Sequence, residues 1–583
     1  MKPVHSRVLR SVVIPVVGAA LLSNAVLSCG GVKQSYTPAE PHWVELDRRP
    51  VPEPEPRDPS LAWTSFDRSF IVQAEQFLDF DRLFRNIGGN PRQAYDVNTF
   101  DEVPNSAWFT NRQGMSPLSP EQIATADGNV VYPDTLGEWL LSRPKVGGAT
   151  IGFWVKDANG KTFIIKFDPP GHPEMATAAE AMGARYFYAC GYHVPHSVIV
   201  RWHPDQLRIK EGVTFKDGLG NEQPLTRHAL DSILEKAERM PDGRFRSSAS
   251  PLLPGEFMGP FSYTGRRKDD PNDWCPHEHR RELRALYVPA SLVNHYDTKD
   301  HNSLDMFMTG DDGQGYVRHH LLDFGSTFGS DGQRAKHPRK GYANWFDPGD
   351  IFVNWITLGT KKWGWENAKE SPYPSIGYFE SEIFEPEKFD PVIPNPAFEN
   401  MTDRDAYWGT KIVLAFEEEH IRALVGAGEF SNPDAAEYLV QRLLDRREKI
   451  GREWLYRVNP VDVLRSEYTA VGLRTELVDL TVRYGFEEAT NSSYRYRVLY
   501  QGDEKISWRP TAIAPLAIPA ADVSTITGLM PPERDPDKPG EQTLVIELQT
   551  SREGGGWSKP LRLYYWYERD PDNLLLVGIV HED

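Results

Sequence analysis

The chain has 583 residues, sixteen of them Trp, and a formal net charge of −18. That length exceeds one ordinary domain and implies two or three, and the aromatic content excludes wholesale disorder. The charge, with no long Lys/Arg run, argues against a nucleic-acid partner, because phosphate backbones demand a basic patch.

Lys2, Arg7 and Arg10 precede the apolar run "SVVIPVVGAALLSNAVLS", and Cys29 follows the small Ser28. A positive n-region, an apolar h-region and a small residue before a cut mark a secretory signal over residues 1–28. The "VLSC" stretch resembles a bacterial lipoprotein signal. The resemblance implies cleavage before Cys29, acylation of that thiol, and a cell-envelope protein held to a membrane by lipid. With Gly30 rather than Asp after the cysteine, it implies the outer membrane, with the body facing the periplasm or exterior. An uncleaved anchor is the other reading, although the run is short for a span. Residues 29–60 include "PVPEPEPRDP" and read as a Pro-rich extended tether.

From about Trp63 the composition turns globular. "DVNTFDEVPNSAWFTNR" (96–112) reads as ordered loop, with no chemistry assigned to it. "IGFWVKDANGKTFIIKFDP" predicts a hairpin, with Asn159-Gly160 at its turn. "HPEMATAAEAMGARYFYACG" predicts a helix, with Pro173 in its first turn and Gly191 at its stop. "SVIVRW" is a strand. Residues 205–256 are polar and turn-rich, with one helix at "RHALDSILEKAERM", and read as an insertion. "RRELRALYVPASLVNHY" predicts a helix. "LDMFM" and "YVRHHLLDF" predict a second hairpin. Aromatic loops and helices such as "AYWGTKIVLAFEEEHIRALVGAG" and "DAAEYLVQRLLDRREKIGREWLYRV" follow to about 464. Residues 465–583 alternate at period two in "RTELVDLTVRYGF", "SYRYRVLYQ", "QTLVIELQT" and "LRLYYWYE", which predicts a separate all-β, sandwich-like domain.

Phosphoryl transfer from a nucleotide needs a Gly-rich turn for the phosphates and a Lys oriented by a Glu. It also needs a carboxylate at the acceptor hydroxyl, and an Asn and an Asp on Mg²⁺. The chain supplies each in order. Gly147, Gly148 and Gly152 lie in "KVGGATIG". In "FIIKF", alternation places Ile164 and Lys166 on one face, an apolar floor for adenine beside an ammonium for its phosphates. A snorkelling edge-strand Lys is the plainer reading of Lys166. Glu180 sits among Ala176, Gly183 and Ala184 at helical spacing, so it can point inward at Lys166. Glu174 is its competitor, placed where a carboxylate simply suits the helix dipole. "HYDTKDHN" then has the form H-x-D-x-x-x-x-N, with Asp297 as aligning base, Lys299 beside it and Asn302 as metal ligand. "LLDFG" offers Asp323 as the second metal ligand.

These motifs resemble the protein-kinase-like superfamily over about 145–330, its divergent phosphatidylinositol-kinase and toxin-kinase-like branches above all. The resemblance implies an α+β fold with a bilobal kinase-like core over 61–464, ahead of the C-terminal β domain. It implies ATP and Mg²⁺ as cofactors and an alcohol acceptor whose identity stays open. Tyr296 stands where many protein kinases carry Arg, which argues against control by a phosphorylated activation loop. No Ala-Pro-Glu follows "DFG", which argues against peptide docking in the eukaryotic manner. A catalytically inactive kinase-fold lipoprotein that binds a ligand or partner is the alternative. "CPHEH" (Cys275, His277, His279) reads as a polar helix start rather than a metal site, and His319 and His320 read as structural. Cys190 and Cys275 can pair or remain two free thiols.

Overall fold

A computed structural model of the chain describes residues 39–144, 151–216, 221–309, 314–531, 538–569 and 572–583. The signal segment, Cys29, Gly147 and Gly148 lie outside the described residues.

The expected tether is corrected over its second half, where the chain is strapped to the body. Pro alternates at positions 50, 52, 54 and 56. Proline has no N–H and favours extended backbone, so only the intervening residues can donate. Three of these amides bond the body. Val51 donates to Gly315 at 2.7 Å and Arg57 to Met258 at 3.0 Å, and Glu55 donates to the Asp269 carboxylate at 3.0 Å. The strap then enters the helix Leu61–Phe66, a wider π turn Asp67–Ile71 and the helix Val72–Leu78.

The first body of structure is a six-stranded sheet. Its strands are β1 (Trp139–Pro144), β2 (Gly152–Lys156), β3 (Thr162–Phe167), β4 (Val198–Trp202), β5 (Leu207–Ile209) and, after a small hairpin of β6 (Thr214–Lys216) and β7 (Glu222–Pro224), β8 (Phe245–Pro251). Their order is β4-β8-β3-β2-β1-β5. The β2–β3 hairpin forms as predicted, and its turn needs Gly160 at φ 82°. Residues 205–256 are not a detached insertion: β8 lies between β3 and β4, and β5 forms the edge beside β1. Ser247, Ser248 and Ser250 of β8 are buried, so a central strand carries a sequence that reads as loop. The helix Met175–Cys190 is buried at every residue and ends at Gly191. Glu174, at φ 69°, precedes that helix as its cap, and its carboxylate accepts from the Ser431 amide at 3.0 Å.

A largely helical body follows, packed round a second sheet of β9 (Glu256–Gly259), β10 (Ser303–Thr309) and β11 (Gly315–Leu321) in the order β11-β10-β9. The helix predicted from 280 to 296 is two, Arg281–Ala285 and Tyr287–Val293, and it stops at Asn294 in the left-handed region. One apolar core joins these helices to Asp403–Leu414 and Pro433–Trp454. The 96–112 loop staples this body. Arg281 ion-pairs with Asp101 at 2.5 Å and with Asp405 at 3.0 Å, and Arg404 meets Asp101 at 2.6 Å. Burial alone would raise Asp101, but the two guanidinium groups hold it well below the usual carboxylate range. Cys190 and Cys275 are buried free thiols.

The C-terminal strands form two antiparallel sheets round their own core of Leu473, Val498, Leu516, Ile546 and Leu563. One is built from β12 (Val461–Thr469), β13 (Gly472–Asp479) and β16 (Leu516–Pro519). The other runs β15-β14-β17-β18-β19, with β14 Ser492–Tyr500, β15 Asp503–Thr511, β17 Thr543–Arg552, β18 Leu561–Arg569 and β19 Asp572–His581. "LTVR" departs from the expected strand. Asp479 accepts from the Thr481 amide at 3.0 Å and caps the one-turn helix Leu480–Arg483.

Candidate functional site

Strand β3 alternates half-buried and buried residues, so Ile164 and Lys166 share its half-buried face while Phe163, Ile165 and Phe167 enter the core. Gly152 pairs directly with Lys166 across the hairpin. Opposed residues of an antiparallel pair share a face, so position 152 sets no side chain beside Lys166. On the next element, Ala176, Gly183 and Ala184 let the Met175–Cys190 helix approach, and Glu180 is 2 % exposed. Lys166 Nζ lies 2.8 Å from Glu180 Oε2 and 2.9 Å from Asp323 Oδ1. Glu174, the competitor, is committed to Ser431. Burial would lower the Lys166 ammonium, but Asp323 and Glu180 outweigh it and hold it above the ordinary lysine range.

Asp323 follows the end of β11 with φ 62°. That strained backbone swings its carboxylate towards Lys166 and sends Phe324 the other way. Phe324 is buried against the helix: a Cβ at Gly183 would stand 2.4 Å from that of Phe324. Its ring stacks on Phe187 with centroids 5.0 Å apart and lies 5.7 Å from His295. Burial, the largest effect, pushes His295 down to about 4.

The second cluster is the loop between the helix Tyr287–Val293 and β10. Lys299 Nζ donates to both oxygens of Asp297 at 2.9 Å. Asn302 Nδ2 donates to the Asp297 carbonyl at 2.8 Å and to its carboxylate at 3.0 Å. The two clusters meet at the mouth of the β10–β11 hairpin. Ser303 pairs with Leu321, and the Leu322 amide donates to the Asn302 carbonyl at 2.9 Å, one residue short of Asp323. The hairpin register thus carries Asn302 and Asp323 to neighbouring positions.

Two supports had no signal in the sequence. Arg68 of the strap ion-pairs with Asp300 at 2.7 Å, both side chains being 8 % exposed, and bonds Ser262 Oγ at 2.6 Å. His301 bonds the Pro59 carbonyl at 2.8 Å. Arg246 of β8 donates to Thr177 Oγ1 at 2.9 Å and to the Glu429 and Gly428 carbonyls at 2.8 and 2.6 Å, tying sheet, helix and helical body together. Contacts of this sequence separation leave no local pattern. Asp297, Lys299, Asn302, Lys166, Glu180, Ile164, Gly152 and Asp323 therefore all belong to two linked clusters. His277 is spent on Asp273 at 2.8 Å, and no group of metal-ligating side chains occurs at "CPHEH" among the described residues.

As a chemical set, the carboxylate of Asp323 and the amide oxygen of Asn302 are hard donors that suit Mg²⁺. Asn302 uses its amide nitrogen on Asp297, which leaves its oxygen for a cation.

No family model and no curated protein matches the chain. Solved structures that it resembles include the Golgi casein kinase, at 12 % identity and a TM-score of 0.26, over 71 % of this chain and 93 % of that one. The same kinase with Mn and ADP bound gives 12 % identity and 0.27, over 71 % and 94 %. The Helicobacter pylori proinflammatory kinase CtkA gives 11 % and 0.27, over 52 % and 90 %.

Proposed function

We propose that the chain is a Mg²⁺- and ATP-dependent phosphotransferase of kinase-like fold, acting on an alcohol group. On this reading it is held by lipid on Cys29 in a bacterial cell envelope, at the outer membrane. The observation that carries the reading is the Lys166 ammonium shared between Glu180 and Asp323. Glu180 aims the lysine, and the half-exposed Asp323 is its partner of convenience. Lys166 would turn to the phosphates of a nucleotide and Asp323 to a divalent ion, both within one site. When bound, Mg²⁺ would supply positive charge against the phosphates. Asn302 and Asp323 hold it, Ile164 underlies the base, and Gly152 leaves room for the phosphates, with Gly147 and Gly148 proposed in the same turn. Asp297 aligns the acceptor hydroxyl and receives its proton, while Lys299 steadies the transferring group.

A second reading has its own observation. Lys299 and Asn302 already occupy the Asp297 carboxylate, as a loop that no longer meets an acceptor would allow. The chain is then an envelope protein that binds a ligand or partner without transfer.

The deciding measurement is nucleotide binding with and without Mg²⁺. Binding by the parent should require the ion and fall in Asp323→Asn. The loss of one charge-assisted contact costs about 1.5–3 kcal/mol, about ten- to a hundredfold in Kd. Asp297→Asn should bind as the parent does and transfer nothing. A parent that binds but transfers to no alcohol or water favours the second reading. Equal binding by Asp323→Asn removes the metal role of Asp323.

A further inference from the structure

The segment that begins at Asp323 returns to the Asp297 loop eight residues later, at Asp331. The phenol of Tyr296, a buried residue, donates to Asp331 Oδ1 at 2.6 Å. Lys340 Nζ donates to the same oxygen at 2.5 Å and lies 5.1 Å from the centre of the Tyr296 ring. A buried tyrosine hydroxyl needs a partner, and this bond has the length of a hydroxyl on a charged carboxylate. The Tyr296 carbonyl accepts from the Val392 amide at 2.9 Å. The residue next to Asp297 is therefore held through both its backbone and its side chain.

Asp331 is itself carried on a fixed turn. Ser330 and Ala335 form an antiparallel bridge, and the Asp331 amide donates to the Arg334 carbonyl at 2.9 Å. Gly332 takes a φ of 73°, which glycine adopts without strain. The chain between Asp323 and this turn runs along the loop: the Phe328 amide donates to the Val293 carbonyl at 2.9 Å. Arg334 reaches Asp331 Oδ2 at 3.9 Å, but its side chain is largely exposed, so solvent leaves that pair little weight. Burial first, and then the Asp331 carboxylate, keep the Tyr296 phenol protonated, so it remains a donor.

We infer that Asp331 is a positioning residue for Asp297. Its carboxylate fixes Tyr296, and Tyr296 fixes the peptide that presents the Asp297 carboxylate. Arg68 grips the far end of the same loop through Asp300, and Asp331 grips the near end. One segment thus serves both sides of the site. Asp323 at its start stands 2.9 Å from Lys166, and Asp331 at its end sets the direction of the acceptor-side carboxylate. The role in transfer rests on the phosphotransferase proposed above, whereas the hold on the loop does not. Misplacing a reacting group by about 1 Å costs about a hundredfold in rate, so the hold is read in rate rather than in nucleotide affinity.

Three variants of the full chain test this. Tyr296→Phe removes the hydroxyl alone, Asp331→Ala removes its acceptor, and Asp331→Asn keeps an acceptor oxygen but not the charge. Mg²⁺–ATP affinity, phosphate transfer to water and to glycerol, and hydrogen exchange are measured on the same samples. Tyr296→Phe and Asp331→Ala should bind Mg²⁺–ATP within about twofold of the parent, with kcat about ten- to a hundredfold lower. Both should exchange faster over 295–302, and Asp331→Asn should lie between the parent and Asp331→Ala. Parent-like kcat in Tyr296→Phe and Asp331→Ala overturns the inference. Affinity lost in step with kcat also overturns it, because the segment then supports the fold and not the direction of Asp297. A parent that transfers to neither acceptor sinks the phosphotransferase reading alone. Exchange then decides the hold: faster exchange over 295–302 in Tyr296→Phe upholds it, and parent-like exchange there overturns it.

Discussion

The ammonium of Lys166 touches the carboxylate of Asp323 at 2.9 Å across a sequence separation of 157 residues. Glu180 touches the same nitrogen from the opposite element, so a single lysine joins the six-stranded sheet, its helix and the end of β11. The three differ in setting: Glu180 is enclosed, whereas the Asp323 side chain is 34 % exposed. The enclosed carboxylate is the fixed partner and the open one is the exchangeable partner.

Removing the fixed partner should therefore cost stability first. Glu180→Ala leaves a buried ammonium with Asp323 alone. The expected loss is about 3 kcal/mol, the low end for a broken buried pair, because one carboxylate still serves it. Urea denaturation with a lower midpoint and an unchanged slope is the expected outcome. A variant as stable as the parent would mean that the ion pair contributes nothing net.

Gly183→Ala tests the packing behind Asp323. The added methyl has no room, since its Cβ would stand 2.4 Å from Phe324 Cβ and 3.0 Å from Cγ. Overpacking of this kind costs about 1–3 kcal/mol. Here it should also push the Phe324 backbone and displace Asp323 from Lys166. The expected result is a lower melting temperature together with weaker Mg²⁺-dependent nucleotide binding. Lower stability with unchanged binding would show that Asp323 is positioned by its own turn and not by Phe324.

Much of the candidate site was legible because its parts are local. Period two put Ile164 and Lys166 on one face, helical spacing aimed Glu180, and short spacings grouped Asp297, Lys299 and Asn302. What was not legible has a physical reason in each case. Strand β8 is a central strand written largely in buried serine, so it lacks the apolar alternation that marks a strand. The strap is rich in proline and reads as linker, yet three of the amides beside its prolines bond the body. Arg68, Arg246 and Arg281 act through contacts far apart in sequence, and a charged residue in isolation reads as surface.

Arg68→Ala probes the strap's hold on the loop. It strands the Asp300 carboxylate, buried and without its guanidinium, beside the turn that carries Asn302. Breaking one side of such a pair costs about 3–5 kcal/mol. The strap can undock instead of the whole chain unfolding, so the first readout is hydrogen exchange. Residues 59–71 and 297–302 should exchange faster, while the C-terminal sheets stay unchanged. Faster exchange confined to 59–71 would show that the loop holds itself.

The buried histidines set an acid limit on stability. Burial pushes His295 and His196 down to about 4 and His320 to about 3. At His295 the carboxylates of Asp297 and Asp323 oppose the shift and Lys299 adds to it. The native state keeps these rings neutral, whereas the unfolded chain binds protons near the ordinary value of 6.5. Between those values the unfolded state holds more protons, so stability is complete above about 6.5 and is lost as the pH falls towards 4. A shift of this size is worth about 3 kcal/mol per ring when fully expressed. Asp101 and Asp273 are held below the usual carboxylate range, and their contribution is lost only below about 4, so the two windows separate. Burial raises Asp403 to about 6, which works in the opposite sense over part of this window, so the histidine contribution is read from the difference between the urea-midpoint profiles of parent and variant from pH 7 to pH 4.5. His295→Phe, which keeps a ring beside the stacked Phe187 and Phe324, should flatten the histidine part of the pH dependence by one titrating site. Parallel profiles for parent and variant would show that His295 titrates alike folded and unfolded, and would place the acid sensitivity in the other rings.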